Sequence, residues 1–194
     1  MKEYLSKKIN DLPASATLTM AAKARELKNK GIDIIGLSLG EPDFNIPEYI
    51  KDAAIEAINN NHNSYTPVDG YLDLKESISG KFKRDNNLDY STNQIVVSTG
   101  AKQSIANAVQ ALVKPGEEVI LLAPFWVSYS AIVTLAEGNP IEIRSDISSD
   151  FKITPMQLED SITNKTKMVI INSPNFFYNE IKSNNNKAII TFLA

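Results

Sequence analysis

The chain has 194 residues, of which 43% are hydrophobic and 22% charged, with a mean hydropathy of -0.19, a formal charge of -3 and a pI near 5.3. That acidity argues against a nucleic-acid binder, which carries a basic face or stripe. The absence of cysteine removes disulfides, thiolate metal sites and a thiol nucleophile, and with His62 as the one histidine, and nothing near it that reads as a catalytic partner, neither a histidine-based metal site nor a Ser-His-Asp triad is expected within one chain.

The length suits one domain, or one and part of a second. No run of 18 apolar residues occurs, and no apolar stretch follows the first basic residues, so a cytoplasmic protein is expected. Residues 1–14 are polar and end near Pro13. Residues 16–30 predict a helix, with Ser15 as N-cap and Gly31 just past its end. Ile32-Asp33-Ile34-Ile35-Gly36-Leu37 predicts a strand. It runs into Gly40-Glu41-Pro42-Asp43-Phe44, where Pro42 lacks a donor and restricts Glu41. Pro47 sits where a helix should begin, and Ile50, Ala53, Ala54, Ala57 and Ile58 recur at helical spacing. His62 lies in a polar run and reads as a solvated loop residue. Leu74, Ile78 and Phe82 mark a further helix.

From there strands and helices alternate. Gln94-Ile95-Val96-Val97 predicts a buried strand, followed by Ser98-Thr99-Gly100-Ala101-Lys102-Gln103-Ser104 and a helix to Val113 that Pro115-Gly116 stops. Strands are predicted at residues 118–122, 140–143 and 167–171, and helices near residues 128–136 and 154–162, the latter capped by Thr154 before Pro155. This order predicts an α/β fold with a largely parallel sheet. Ligands of such sheets bind outside the carboxyl ends of the strands. Gly100-Ala101-Lys102, Pro124-Phe125-Trp126 and Asn172-Ser173-Pro174-Asn175 all fall there. A glycine at a strand-to-helix turn, with free N–H groups of the helix beyond it, favours an anion, commonly phosphate. A tight turn also needs a glycine when nothing binds, so both readings stand at this point.

Five segments in register resemble one family: Gly40-Glu41-Pro42-Asp43-Phe44, Ser64-Tyr65-Thr66-Pro67, Ser98-Thr99-Gly100-Ala101-Lys102-Gln103, Pro124-Phe125-Trp126-Val127-Ser128-Tyr129 and Asn172-Ser173-Pro174-Asn175. Over about residues 12–175 the chain resembles the N-terminal half of pyridoxal-phosphate-dependent aminotransferases of the aspartate aminotransferase type. The resemblance implies the first part of the fold type I large domain, a mostly parallel sheet with flanking helices, here incomplete. It divides the chain into residues 1–45 (N-terminal arm and start of the small domain), 46–175 (N-terminal half of the large, cofactor-binding domain) and 176–194 (a divergent tail).

The resemblance further implies pyridoxal 5'-phosphate as cofactor, an amino acid such as aspartate with a 2-oxo acid as substrates, and a homodimer with shared sites. Gly100, Ala101 and Lys102 would hold the cofactor phosphate, Trp126 would stack on its ring, and Asn175 would meet its phenolic oxygen. Tyr65 would reach the phosphate of the neighbouring subunit. Gly40 would approach the substrate carboxylate, with Trp126 and Asn175 also on the substrate. Lys102 also suits a surface lysine, Trp126 a core or interface residue, and Tyr65 a locally packed loop residue.

Past Asn175 the family's Asn-Pro-Thr-Gly is replaced by Phe176-Phe177-Tyr178-Asn179, and the tail, with its apolar Ala188-Ile189-Ile190-Thr191-Phe192-Leu193, matches nothing in the family. In the family the Schiff-base lysine, the acidic partner of the ring nitrogen and the arginine for the substrate carboxylate all lie downstream of this point. No catalytic residue is therefore assigned within the chain. The strand predicted at residues 94–97 would also lack its neighbours, leaving backbone groups unpaired. Two functional readings result: an aminotransferase by descent, inactive alone, or an inert remnant that only binds or associates with a full-length paralogue. A nucleotide-binding domain is weaker, because neither G-x-G-x-x-G nor G-x-x-x-x-G-K-[ST] occurs.

Overall fold

The structure, a computed structural model, describes residues 4–36, 44–173 and 188–193. It divides into two compact units, one of Met1–Ile35 with Lys102–Ala194 and one of Gly36–Ala101.

The first unit is built on a parallel sheet. Strand β1 (Glu118–Leu122) lies between β2 (Asn139–Ile143) and β3 (Thr166–Ser173), and β4 (Ala188–Leu193) continues the sheet beyond β3. Register is fixed by pairs such as Ile120↔Ile141 and Leu121↔Ile170. Alternation along β1 and β3 sends side chains to both faces, and both faces are covered. Val119, Leu121, Met168 and Ile170 pack against α5 (Ala101–Leu112) and α6 (Ser128–Leu135) through Ile105, Val109, Ile132 and Val133. Ile120, Leu122, Val169 and Ile171 pack on the other face with Ile143, Ile153 and Leu158, the last carried by α7 (Pro155–Asp160). A strand buried on both sides reads as a continuous apolar run, which is how Val119-Ile120-Leu121-Leu122 reads.

Local signals explain several boundaries. Helix α2 (Ala16–Asn29) begins after Ser15, whose hydroxyl accepts from the Leu18 N–H at 3.4 Å. It ends in a Schellman arrangement: the Gly31 N–H donates to the Lys28 carbonyl at 2.9 Å and the Ile32 N–H to the Leu27 carbonyl at 3.2 Å. Thr154 and Gln157 form a reciprocal capping box at the start of α7. The short helix α1 (Lys7–Asn10) precedes α2 in the same unit.

The second unit contains α3 (Glu48–Asn59) and α4 (Leu72–Asn86). Pro47 is the N-cap of α3, one position before the place its sequence suggested. The chain leaves α4 through Asn87 at φ +55 and enters a 3-10 turn at Thr92–Gln94; just before that turn Tyr90 meets Phe82 of α4 edge-on, with ring centroids 6.3 Å apart.

Two predicted strands are corrected. Residues 94–97 join no ladder: Gln94 closes the 3-10 turn through a capping box with Ser91, and the Val97 N–H donates to the Asp69 carbonyl at 3.1 Å instead of to a neighbouring strand. Residues 32–36 are likewise irregular, and residue 37 lies outside the described residues. The apolar stretch that has no counterpart in the resembled family does form a strand. It is β4, paired in parallel with β3 from Met168↔Ala188 to Ser173↔Leu193.

Leu121, fully buried in the central strand, gives the first test. Leu121→Ala is expected to lower unfolding free energy by about 2–5 kcal/mol, the range for a large-to-small core change. Urea unfolding followed by circular dichroism would read this as a lower midpoint.

Candidate functional site

Strand β1 ends at Leu122, and the chain turns through a cis Ala123-Pro124 bond into Phe125 and Trp126 before α6 begins. The turn is tied down from the neighbouring strand. The Ala123 N–H donates to the Ile143 carbonyl at 2.9 Å, and the Ser145 hydroxyl sits 2.7 Å from the Ala123 carbonyl. Trp126 emerges 41% exposed, unusual for so large an apolar ring, yet it is held on two sides. The Lys102 Nζ lies 4.5 Å from the ring centroid, within cation–π range, and the Tyr129 ring meets it edge-on with centroids 5.6 Å apart and planes at 88°.

Tyr129 is itself 4% exposed. Its ring stacks on Phe125 at 6.4 Å, and its hydroxyl donates to Asn172 Oδ1 at 3.3 Å, near the carboxyl end of β3. Burial pushes the Tyr129 phenol above its ordinary pKa, so it serves as a donor at neutral pH. Phe125, Trp126, Tyr129 and Asn172 therefore cluster at the carboxyl ends of adjacent strands, with Lys102 from the first turn of α5 reaching the same indole. A separate cavity of about 720 Å³ is lined by residues including Leu12, Pro13, Phe125, Ser128 and Thr134; neither Lys102 nor Trp126 lines it.

In the second unit, Gly100 has φ +82, a left-handed conformation that favours glycine, and open space lies where a Cβ would stand. Its N–H donates to the Ser98 carbonyl at 2.8 Å, and Ala101 is the first residue of α5. The extended segment before this turn leans on residues 69 and 70. A Cβ on Gly70, at φ +102, would stand 2.6 Å from Val97 Cγ2. Close packing here requires glycine. The Asp69 carboxylate, whose own carbonyl receives the Val97 N–H, pairs with the buried Lys75 of α4. That hydrogen bond from Lys75, with one from backbone, holds the Asp69 carboxyl below the usual carboxylate range.

Of the residues singled out by sequence, the structure brings Lys102 and Trp126 together. Gly100 and Ala101 stand at the start of α5. Tyr65 is fully exposed in the second unit. Gly40 and Asn175 lie outside the described residues. Tyr129 and Asn172 were quoted within motifs but given no role; the signal for Tyr129 was its i, i+3 spacing from Trp126 at a helix start, which makes neighbours of the two side chains. Among the described residues no helix is long and apolar enough to cross a membrane, and no group of three acidic or histidine side chains is arranged to hold a metal.

Residues 32–175 match the family model described as aminotransferase class I and II. The chain belongs to the class I and II aminotransferase family. It is 51% identical over 170 residues to an aspartate/prephenate aminotransferase of Nitrosomonas europaea, covering 88% of this chain and 43% of that protein. It is 48% identical over 170 residues to an aspartate aminotransferase of Bacillus subtilis, with the same coverages. Among solved structures, the aspartate aminotransferase of Rhizobium meliloti superposes with a TM-score of 0.83 at 44% identity, over 88% of this chain and 42% of that one. The Thermus thermophilus aspartate aminotransferase solved with maleate gives 0.85 at 38% identity, over 88% and 45%. The fold is thus that of the N-terminal portion of aspartate aminotransferases. The chain spans less than half the length of the aminotransferases it matches.

The Asp69–Lys75 pair under the Gly100-bearing segment predicts a pH dependence. A carboxyl with a depressed folded pKa contributes stability in full above its unfolded value of about 3.9, and loses it as pH falls through the lower folded value. Thermal melts should therefore fall as pH drops below about 4, more shallowly in Asp69→Asn. At pH 7, Asp69→Asn should melt below wild type, because it leaves a buried ammonium without its anion. Asp69→Asn with Lys75→Met should recover part of that loss.

Proposed function

We propose that this aminotransferase-family chain binds pyridoxal 5'-phosphate, with the phosphate at Gly100, Ala101 and Lys102 and the ring against Trp126. The observation that carries the reading is the contact between the Lys102 ammonium and the exposed Trp126 indole, which sets a cation beside a flat aromatic face. The residues present fit the group. Gly100 offers a left-handed turn with nothing where a side chain would be, and α5, which begins at Ala101, turns its positive dipole end towards an anion there. Trp126 offers an exposed ring held by Tyr129. Bound there, the cofactor would supply an electron sink for carbon–nitrogen chemistry at an amino acid. This chain's residues would anchor its phosphate, fix its ring plane and shield one face from water.

In this reading Tyr65 serves the phosphate of a neighbouring subunit, Gly40 and Asn175 face substrate and cofactor, and residues 46–175 supply part of the cofactor-binding domain of a homodimer. The relatives' names point to aspartate as the amino donor of the complete activity, and the family resemblance adds a 2-oxo acid as acceptor. The 194-residue polypeptide alone is proposed to bind without turning over aspartate, since none of its residues is assigned the proton-shuttling amine.

Titration of the purified chain with pyridoxal phosphate tests this. Trp126 is the single tryptophan, so its emission should be quenched saturably, and inorganic phosphate should compete. Lys102→Met and Gly100→Ala should each weaken binding by roughly threefold to tenfold, the size of losing one charge-assisted contact or straining the turn. Absence of saturable quenching overturns the reading; production of oxaloacetate from aspartate and 2-oxoglutarate by this chain overturns the binding-only part.

A further inference from the structure

We propose that Tyr129 is a positioning residue for the indole of Trp126, locking its plane and tying it to the carboxyl end of β3. The consequence for cofactor affinity rests on the function proposed above; the positioning itself does not.

An indole 41% open to solvent, on a turn between a strand and a helix, would ordinarily sample several rotamers. Here the first turn of α6 removes that freedom. The Tyr129 N–H donates to the Trp126 carbonyl at 3.0 Å, which sets the two side chains one helical turn apart, and the phenol ring then stands perpendicular to the indole, edge to face. Tyr129 is in turn immobile. It belongs to the core cluster with Val133, Met168 and Ile170, stacks on Phe125, and is 4% exposed. Phenylalanine would satisfy all of those apolar contacts. The hydroxyl is explained by Asn172, 43 residues further on, whose Oδ1 accepts from it at 3.3 Å. A rigid core residue therefore links an exposed aromatic platform to the end of the neighbouring strand. Lys102 completes the clamp from α5.

A platform held in one orientation lets a flat ligand stack with less loss of conformational freedom on binding. The hydroxyl thus contributes to affinity without touching the ligand.

The test uses the full chain, with Tyr129→Phe and Tyr129→Leu. Trp126, as the single tryptophan, reports on itself without any ligand. Acrylamide quenching of its emission should rise about twofold in Tyr129→Leu, which loses the edge contact, and less in Tyr129→Phe, which keeps the ring and loses the hydroxyl with its bond to Asn172. Tyr129→Phe should keep its melting midpoint to within about 2 °C, while half-saturation by pyridoxal phosphate rises roughly threefold, the scale of one hydrogen bond. Should Tyr129→Leu fail to fold, Tyr129→Phe decides alone. Folded variants whose Trp126 quenching equals wild type overturn the proposal, as does a Tyr129→Phe chain that changes only its melting. If wild type shows no response to pyridoxal phosphate, the proposed function fails, and the ligand-free quenching still decides the role of Tyr129.

Discussion

The structure of the first unit depends on the burial of β1 and β3 from both sides. Val119, Ile120, Leu121, Met168 and Ile170 are at or near zero exposure, and they point alternately to the two faces of one parallel sheet. Parallel strands need crossover elements, and those elements cover the faces. α5 and α6 take one side; α7 and Ile153 take the other. Once the strands are so fixed, the position where each chain leaves the sheet is fixed as well. Phe125 and Trp126 leave β1, and Asn172 stands near the end of β3. The candidate site is a by-product of where the core stops.

The polar groups at that margin show how precision is added to a surface that burial alone would leave loose. Ser145 reaches the Ala123 carbonyl, Ile143 receives the Ala123 N–H, and Tyr129 carries a hydroxyl from the core to Asn172. None of these hydrogen bonds involves the Trp126 side chain. They hold the backbone and the ring that present it, which is the division of labour expected when orientation decides affinity. Lys102 differs: its contact is with the indole itself. The sequence suggested charge near a phosphate for this lysine, and the observed contact adds a second use for the same ammonium, clamping the platform.

Much of this was legible from residue order because local rules and tertiary burial agreed. Ser15 and Gly31 bound α2, Thr154 and Pro155 open α7, and the apolar run at residues 119–122 is β1. The failures came where a short apolar run had no partner to pair with. Residues 94–97 have strand composition, but a strand is a property of two chains in register, and among the described residues this segment's N–H groups go to the Asp69 carbonyl and to its own 3-10 turn at Ser91 and Thr92. Periodicity cannot report that. The Lys102–Trp126 contact was equally hidden, since it joins residues from separate elements. Tyr129 was nearer to hand: a tyrosine three positions after a tryptophan, at a helix start, could have been paired with it from spacing alone.

Strand β4 shows the opposite case, a stretch outside the family's pattern that nevertheless joins the sheet. Beyond β1, strand β3 has a second edge with a row of backbone donors and acceptors, in the middle of the most buried part of the fold. Leaving them unpaired costs free energy, and any uncharged extended segment able to reach them is favoured there. Ala188-Ile189-Ile190-Thr191-Phe192-Leu193 meets that requirement by composition: it has no charge, no proline, and mostly branched or aromatic residues. The opposite edge strand, β2, is built differently, with Pro140 lacking a donor and Glu142 adding charge, both features that discourage further pairing. Pairing with β3 therefore needs no family motif in the tail. It needs only that the open edge of β3 be more demanding than the sequence that fills it.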